Sequence, residues 1–528
     1  MNLKKIHIII IGAGASGATA AWNLSKKKFN ITCLEQGPLL NKNSYSFNQD
    51  KWEIYKKNKF HINPNVRKLK SDYPINDRDS PISIANFNAV GGSTILYSGH
   101  FPRFHPSDFK TKTLDNVGED WPLNYKDLEP FYDINDKMMR VSGLLGDPAY
   151  PPMKYLCPPV PLNPAGELVA KSFNKLGWHW WPSYSALFKE KKNQENFTRS
   201  TVDICYWPEA IKNGVKLKTN SRVIKIITDS TNKATGVIYV DNKKNKKFLK
   251  ADIVILACSG AGTPRILLNS KNKKFPHGLA NSSGLVGKNL MLHPLGYVEG
   301  TFSKFLASFK GPPGCCLASQ EFYETSKKEK FKRGFTMQVL RGHEPLETIM
   351  QIKKFGKLQF GKNFFKEFLK YYGKTISIAI ICEDLPEKNN YVELDYKNRD
   401  SSGMPGIKIH YKLSKNTKKM LAYGISRAKE VLKTMGARKI SSFGPVKHTG
   451  WHIMGTSKMG TNKKKSVVNQ FGQAHDIKNL VIVDSSIFVT SSGVNPMSTL
   501  QALALKITDY IKKFHEKYII KNDRRKKY

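Results

Sequence analysis

Six residues near the start of the chain, Gly12-Ala13-Gly14-Ala15-Ser16-Gly17, have the types and spacing to hold a pyrophosphate. Glu35, 18 residues past Gly17, is placed to hold a ribose. The three glycines act differently. Gly12 permits the tight turn, Gly14 lets the backbone approach phosphate, and Gly17 lets the next helix pack closely on the strand before it. The free N–H groups at the start of that helix then face the anion, with Ala13 and Ser16 between the glycines. A carboxylate at Glu35 can accept both hydroxyls of an adenosine ribose and disfavours a 2′-phosphate, which sets NADP aside.

The surrounding elements must position these groups. Ile8-Ile9-Ile10-Ile11 suits a strand buried on both faces of a parallel sheet. Ala18 to Leu24 reads as a helix, and Asn30 to Leu34 as a second strand that ends on Glu35. In that context the glycine pattern points to dinucleotide binding. The same stretch mimics a secretory signal, with Lys4-Lys5, an apolar run and Ala18-Thr19-Ala20. Cleavage there would destroy the glycine turn, so the stretch reads as mature structure.

A length of 528 residues exceeds one compact core and predicts two domains. Nowhere are there 18 consecutive apolar residues, so a soluble or at most peripheral protein is expected. The net charge of +44 comes from lysines spread throughout, as in Lys26-Lys27-Lys28, Lys243-Lys244, Lys327-Lys328 and Lys463-Lys464-Lys465. No recognition helix, zinc finger or aromatic RNA-binding motif accompanies them, which argues against nucleic acid as a specific partner. Docking on an anionic surface stays open. The seven cysteines form no C-x-x-C, and neither a zinc nor an iron–sulfur site is indicated, so no metal is expected. Their odd count and irregular spacing fit a reducing compartment, the cytoplasm.

Six segments follow from the distribution of motifs. Residues 1–100 form the first part of the dinucleotide domain, and 101–204 an insertion belonging to the substrate domain. The dinucleotide domain returns over 205–300, with strands at Val215 to Leu217, Val223 to Ile227, Gly236 to Val240 and Asp252 to Ala257. Residues 301–449 are the substrate domain, with a strand at Thr375 to Cys382 and a helix at Asn416 to Leu432. Residues 450–511 close the first domain through Val481-Ile482-Val483-Asp484 and a helix from Thr499 to Ile511. Residues 512–528 are a basic tail. Pro38 to Ser83 reads as irregular wrapping, and the tryptophans of Gly177 to Pro182 as pocket lining or junction packing. The fold class expected is α/β, α+β overall: a Rossmann-like domain assembled from discontinuous segments, plus a domain with a mainly antiparallel sheet and helices.

Four separated motifs make the chain resemble the glucose–methanol–choline (GMC) family of FAD-dependent oxidoreductases almost end to end. They are Gly12 to Gly17 with Glu35; Gly91-Gly92-Ser93-Thr94; Trp451-His452-Ile453-Met454-Gly455-Thr456; and Asp484-Ser485-Ser486 followed by Asn495-Pro496. Asp120-Trp121-Pro122, Gly177-Trp178 and Ser283 to Gly287 look most like its gluconate- and fructose-dehydrogenase branch. The resemblance implies FAD rather than NAD, with Glu35 at the ribose and the Val223 backbone at the adenine. Gly92 to Thr94 and Asp484-Ser485 would approach the pyrophosphate, ribitol and flavin.

The resemblance further implies oxidation of an alcohol to a carbonyl, with a polyol, sugar or sugar acid favoured. A hydride would pass to flavin N5, and the electrons then to a non-NAD acceptor such as a quinone or a redox protein. His452 suits the general base because imidazole titrates near neutral pH. Asn495, 43 residues on, matches the family's second active-site position and can donate to the developing alkoxide. His293, His448 and His475 lack that context and read as structural. The alternatives are an alcohol oxidase using O2 and a hydroxynitrile-lyase-like enzyme, although such lyases tend to carry histidine where Asn495 stands.

One departure from the family bears on electron flow, as does the chain's basic end. Lys189 to Tyr206 contains only Cys205, so the cysteine-rich cluster segment of some relatives is missing, and direct transfer to an acceptor is implied. The basic tail carries Lys512-Lys513, Lys517 and Arg524-Arg525-Lys526-Lys527 beside Phe514, Tyr518, Ile519 and Ile520. It reads either as a frayed solvated end or as a peripheral contact with the anionic inner face of a membrane. A second departure, in the family's second signature, is the missing serine–glycine after Gly262-Thr263-Pro264 and Leu267-Leu268.

The last departure concerns Leu96, which stands where some relatives link FAD covalently through histidine. It has no nucleophilic nitrogen, so the FAD is expected to be noncovalent. Acid precipitation of the purified protein should leave the yellow flavin in the supernatant. Flavin that stays with the pellet would show a covalent link elsewhere.

Overall fold

The computed structural model describes residues 5–49, 51–190, 197–311, 315–355, 358 and 360–519. The isoleucine run forms the strand His7–Ile11, where Ile8, Ile9 and Ile10 are wholly inaccessible. The run can be apolar throughout because this strand sits at the centre of a five-stranded parallel sheet. The spatial order is Leu480–Ile482, Ile253–Leu256, His7–Ile11, Asn30–Leu34 and Lys216–Lys218. Every neighbouring pair is parallel, so distant parts of the chain build one sheet.

The helix Ala15–Ser25 starts directly at the glycine turn, earlier than the expected Ala18. It packs against the last long helix, Met497–Phe514. Asn23 Nδ2 donates to the Leu505 carbonyl at 3.1 Å and to Thr508 Oγ1 at 2.9 Å, and Gln501 Nε2 donates to Thr19 Oγ1 at 3.0 Å.

The second layer is a six-stranded antiparallel sheet in the order Lys439–Phe443, Leu295–Thr301, Thr375–Cys382, Phe335–Leu340, Cys315–Ser319 and Trp181–Pro182. One face carries Val298, Met337, Val339, Ile376, Ile378 and Ile380, covered by the helices Pro164–Leu176 and Lys415–Thr434. Alternation along each strand sends Leu295, Tyr297, Gln338, Leu340, Ser377, Ala379 and Ile381 to the other face, where they line a cavity shared with the parallel sheet.

Sheet membership departs from the expected segments at three places. Leu295–Thr301 runs across the boundary at 300. The 101–204 segment divides: Phe101, Phe104, Phe109, Trp121 and Tyr132 join the core of the first domain, while Val169 and Phe173 join the second. Residues 38–83 are not irregular throughout, since Ile75–Asp79 is a strand parallel to Pro405–His410. Ile-Asn-Asp-Arg-Asp has no strand-like alternation, and its partner lies more than 300 residues away, so no local signal announces it. The tryptophans pack at the junction, Trp178 and Trp180 on the second core and Trp181 on the first.

The described part of the tail is docked rather than frayed. Lys512 Nζ donates to Asn23 Oδ1 at 2.8 Å, Lys512 and Lys513 both pair with Asp509, and Tyr518 is buried. Ile520 and Arg524 to Lys527 lie outside the described residues. The six cysteines for which a state is described are free. Among the described residues no helix is long and apolar enough to cross a membrane.

A Cβ added at Gly17 would lie 1.9 Å from the Gly12 carbonyl oxygen and 3.3 Å from Ala257 Cβ. Overpacking typically costs about 1–3 kcal/mol, and rigid backbone leaves little room to relax. Gly17→Ala should therefore lose at least about 2 kcal/mol of stability by chemical denaturation and purify depleted in flavin. Wild-type stability and colour in this variant would show that the approach is not tight.

Candidate active site

A cavity of about 790 Å3 lies between the C-terminal ends of the parallel strands and the open face of the antiparallel sheet. Gly12 adopts φ +98°, its N–H donates to the Leu34 carbonyl at 2.9 Å, and an added Cβ would meet the Ala257 oxygen at 2.5 Å. Packing alone therefore demands glycine at 12 and 17. Gly14 is different: it lines the cavity, and an added Cβ would meet no protein atom closer than Gly92 Cα at 3.7 Å. The helix that begins there has no capping side chain and no acid in its first turn, and Gly14, Ala15 and Ser16 border the cavity. An uncapped helix start on an open cradle fits a phosphate group.

Glu35 is buried, and its two oxygens accept from Ala13 N and Gly37 N, each at 2.8 Å. Burial raises its pKa, opposed by those N–H groups and by Arg222. Each carboxylate oxygen keeps a second lone pair for a hydroxyl. Ser221, Arg222 and Val223 line the same end of the cavity.

Across from Gly14, Gly92 comes so close that its added Cβ would stand 2.8 Å from Gly14 Cα. Gly91, at φ +99°, donates its N–H to the Ala13 carbonyl at 3.0 Å and stands behind the lining. Ser93 lines the cavity, but its Oγ accepts from Phe87 N at 3.2 Å. Thr94, expected to approach the cofactor, does not border the cavity. It is fully buried, with Oγ1 donating to the Gly91 carbonyl at 2.6 Å and accepting from Val202 N at 3.3 Å. The 3-10 turn over Gly92–Ile95 points that hydroxyl back into the loop. Leu96 lines the cavity, as do Ser98, Gly99 and His100.

Asp484, also buried, accepts from Cys258 N at 2.8 Å, from Ser486 N at 2.9 Å and from the Thr263 hydroxyl. It ties the ends of two parallel strands together beside the cavity. Ser485 lines the cavity, while its Oγ donates to the Ile453 carbonyl at 2.6 Å.

His452, Asn495 and Pro496 also border this space. Asn495 Nδ2 is 3.5 Å from His452 Nε2, and Gln338 Nε2 donates to Asn495 Oδ1 at 2.6 Å, which turns the amide N–H groups toward His452. His293, expected to be structural, stands directly behind: its Nδ1 is 2.8 Å from His452 Nδ1, and its Nε2 is 3.1 Å from the Ser491 carbonyl. A carbonyl only accepts, so His293 carries its proton on Nε2. Burial pushes the His293 pKa down to about 4, and the ring is neutral, so its Nδ1 is a bare acceptor. His452 must then donate from Nδ1, which leaves a lone pair on Nε2 facing Asn495. Burial, followed by the neighbouring His293 and His100, holds the His452 pKa well below the usual imidazole value. The arrangement can accept a proton at one defined nitrogen. His448 and His475 do not line the cavity, and His475 Nε2 instead lies 2.9 Å from Ser466 Oγ.

Sequence reasoning missed a polar cluster on the antiparallel sheet. Tyr297 Oη donates to Glu299 Oε2 at 2.8 Å and lies 2.6 Å from Ser377 Oγ, and His343 Nε2 donates to the same carboxylate oxygen at 2.5 Å. Burial opposes the His343 charge, but bonds to Glu299 and Glu347 outweigh it and push the pKa up to about 9. Only the alternation of these strands carries a signal, since no motif surrounds them. Among the described residues no cluster could hold a metal ion.

Two models of the GMC oxidoreductase family match residues 6–295 and 386–504. A 2-methyl-1,2-propanediol dehydrogenase of Mycolicibacterium austroafricanum is 37% identical, with 97% of this chain and 96% of that one covered. The fructose dehydrogenase large subunit of Gluconobacter japonicus is 26% identical, with 96% and 97% covered. Among solved structures, a pyridoxine 4-oxidase from Mesorbium loti shares the fold at a TM-score of 0.67 and 15% identity, covering 97% of this chain and 99% of that one. The family match spans most of a chain whose cavity has the donors a dinucleotide requires. This protein belongs to the GMC oxidoreductase family, FAD-dependent enzymes that act on alcohols and sugars.

Proposed function

We propose that this enzyme is a dehydrogenase of small diols or polyols, with His452 as general base and Asn495 as the group that orients the substrate oxygen. The observation that carries this reading is the chain Ser491–His293–His452, which leaves one bare nitrogen on the cavity beside an amide donor. Gly14, Glu35, Val223, Gly92 and Asp484 would hold FAD noncovalently, and the bound FAD would supply the hydride acceptor. His452 Nε2 takes the hydroxyl proton while Asn495 Nδ2 donates to the same oxygen, so charge is met as the carbonyl forms. Gln338 holds that amide in the donating orientation.

A second hydroxyl would meet the polar cluster. Tyr297 and Gln338 both pair in register with Ala379, which sets their backbones roughly 10 Å apart, two strand spacings. That span favours a substrate with a hydroxyl beyond the reacting one. A relative named for a propanediol and another named for fructose support this class. The electrons pass on to a quinone or a redox protein. Oxidase chemistry is separated from this by stoichiometric peroxide on admitting air to the substrate-reduced protein.

His452→Ala should retain FAD but reduce it by alcohol about 10²–10⁴-fold more slowly. Asn495→Ala should lose less. Near-normal anaerobic bleaching in the His452 variant would remove it from the mechanism. The pH dependence follows from the depressed His452 pKa. A base with a lowered pKa stays proton-free as pH falls through about 6.5, where an ordinary imidazole charges, and loses function only below its own lowered value. The kcat/KM for alcohol should therefore stay level from pH 8 to about 6, and a midpoint above 7 would contradict the assigned environment.

A further inference from the structure

The helix Lys362–Phe368 buries none of its residues, although it reads Lys-Asn-Phe-Phe-Lys-Glu-Phe. Phe360 is 84% exposed, Phe365 69% and Leu369 58%. Phe365 and Leu369 are four residues apart and share one helix face. The helix rests on the body through a different set of rings: Phe364 stacks on Phe368, Phe368 on Tyr372, and Tyr372 on Phe309. Phe360, Phe365 and Leu369 are left standing outward. Apolar groups of this size are not scattered singly here but lie close along one short segment.

The same stretch of chain is rich in basic residues. Residues 345–374 contain seven lysines and two glutamates, and both glutamates are neutralised, Glu347 by Lys56 and Glu367 by Lys370. Lys362 and Lys366 stand exposed on the same helix. The neighbouring helix, Pro345–Phe355, leads from this surface to the active site. Its first N–H groups are held by Glu53, from Leu346 N at 3.1 Å and Glu347 N at 2.9 Å. Its Met350 is half exposed and also lines the cavity, beside Lys56, Lys57 and Gln351.

We propose that the segment Phe360 to Lys370 docks on an anionic membrane surface and places the mouth of the active-site cavity against the lipid. The exposed apolar side chains sit where lysine is in excess, which matches an interface of acyl chains under anionic headgroups. Protein–protein interfaces are depleted in lysine relative to the rest of the surface, which disfavours a protein partner here. In this position a lipid-soluble electron acceptor reaches the cavity without crossing water. The docking itself does not rest on the substrate or on the roles of His452 and Asn495, and its test does not use turnover as the signal.

The test is co-sedimentation of the FAD-loaded protein with vesicles of phosphatidylglycerol and phosphatidylcholine, compared with phosphatidylcholine alone. Binding should require the anionic lipid and weaken from 0.1 M to 1 M salt, as the Debye length falls from about 10 to 3 Å. The triple variant F360S/F365S/L369S should partition at least about tenfold less, with flavin content and turnover of a soluble alcohol and dye unchanged. The charge variant K362E/K366E, altered only at exposed positions, should bind less without any loss of apolar surface. Truncation after Ile519 should bind like the full chain. Three outcomes would overturn the proposal: equal sedimentation of the triple variant and the wild type, loss of binding on truncation alone, or a wild-type dimer in light scattering that the triple variant dissociates.

Discussion

Everything at the active site depends on backbone touching backbone at the C-terminal ends of three parallel strands. Gly12 stands against the Ala257 carbonyl, Gly17 against the Gly12 carbonyl, and Gly92 against Gly14 Cα. No side chain fits at these points, and that exclusion is what lets residues from four parts of the chain share one wall. Asp484 closes the arrangement by accepting from Cys258 N and the Thr263 hydroxyl, across from the glycine turn. A buried carboxylate is costly unless its hydrogen bonds are complete, so it registers the strands as well as joining them.

The antiparallel layer is attached by charges that leave solvent together. Arg333, with no accessible side-chain surface, meets Asp108 at 2.6 Å, Glu383 at 3.0 Å and Asp115 at 3.0 Å. Asp108 and Asp115 come from the 101–204 insertion, whereas Arg333 and Glu383 flank strands of the antiparallel sheet. Removing one partner of such a group typically costs about 3–5 kcal/mol because a charge is left buried and unpaired. The pairing fixes the orientation of the sheet whose other face carries Gln338 and Tyr297 into the cavity. Arg103, held between Asp133 and Asp136, does the same work inside the insertion.

The chemistry divides along the same line. The parallel-sheet side provides main-chain N–H groups and two buried acids, Glu35 and Asp484, the groups suited to an extended, anionic cofactor that also carries hydroxyls. The antiparallel side provides hydroxyls, an amide and an imidazolium, groups suited to a small neutral polyol. His452 and His293 lie at the seam. Their tautomers are set in sequence, the Ser491 carbonyl fixing His293 and His293 fixing His452. A neutral relay of this kind costs no buried charge in the resting protein, which is why two imidazoles can lie 2.8 Å apart there.

The sequence by itself determined the parts that are local in the chain. The glycine turn, its flanking strands and Glu35 fall within 30 residues, so spacing alone carries their geometry. The strand Thr375–Cys382 was equally legible, because Thr375-Ile376-Ser377-Ile378 alternates with a strand's period of two. His452 and Asn495 were found through the order of separated motifs, not through any local pattern. The tertiary structure alone decided which groups face them. His293 and Gln338 reach His452 and Asn495 from strands and loops more than 150 residues away, and nothing near either residue signals it. Thr94 belongs to a motif expected at the cofactor and is turned inward by its own tight turn. Conversely, nothing in the sequence marks Phe360, Phe365 and Leu369 as exposed, since large apolar side chains are usually buried. Only packing shows that no part of the described chain covers them, because burial belongs to the surfaces that meet and not to the residues that carry them.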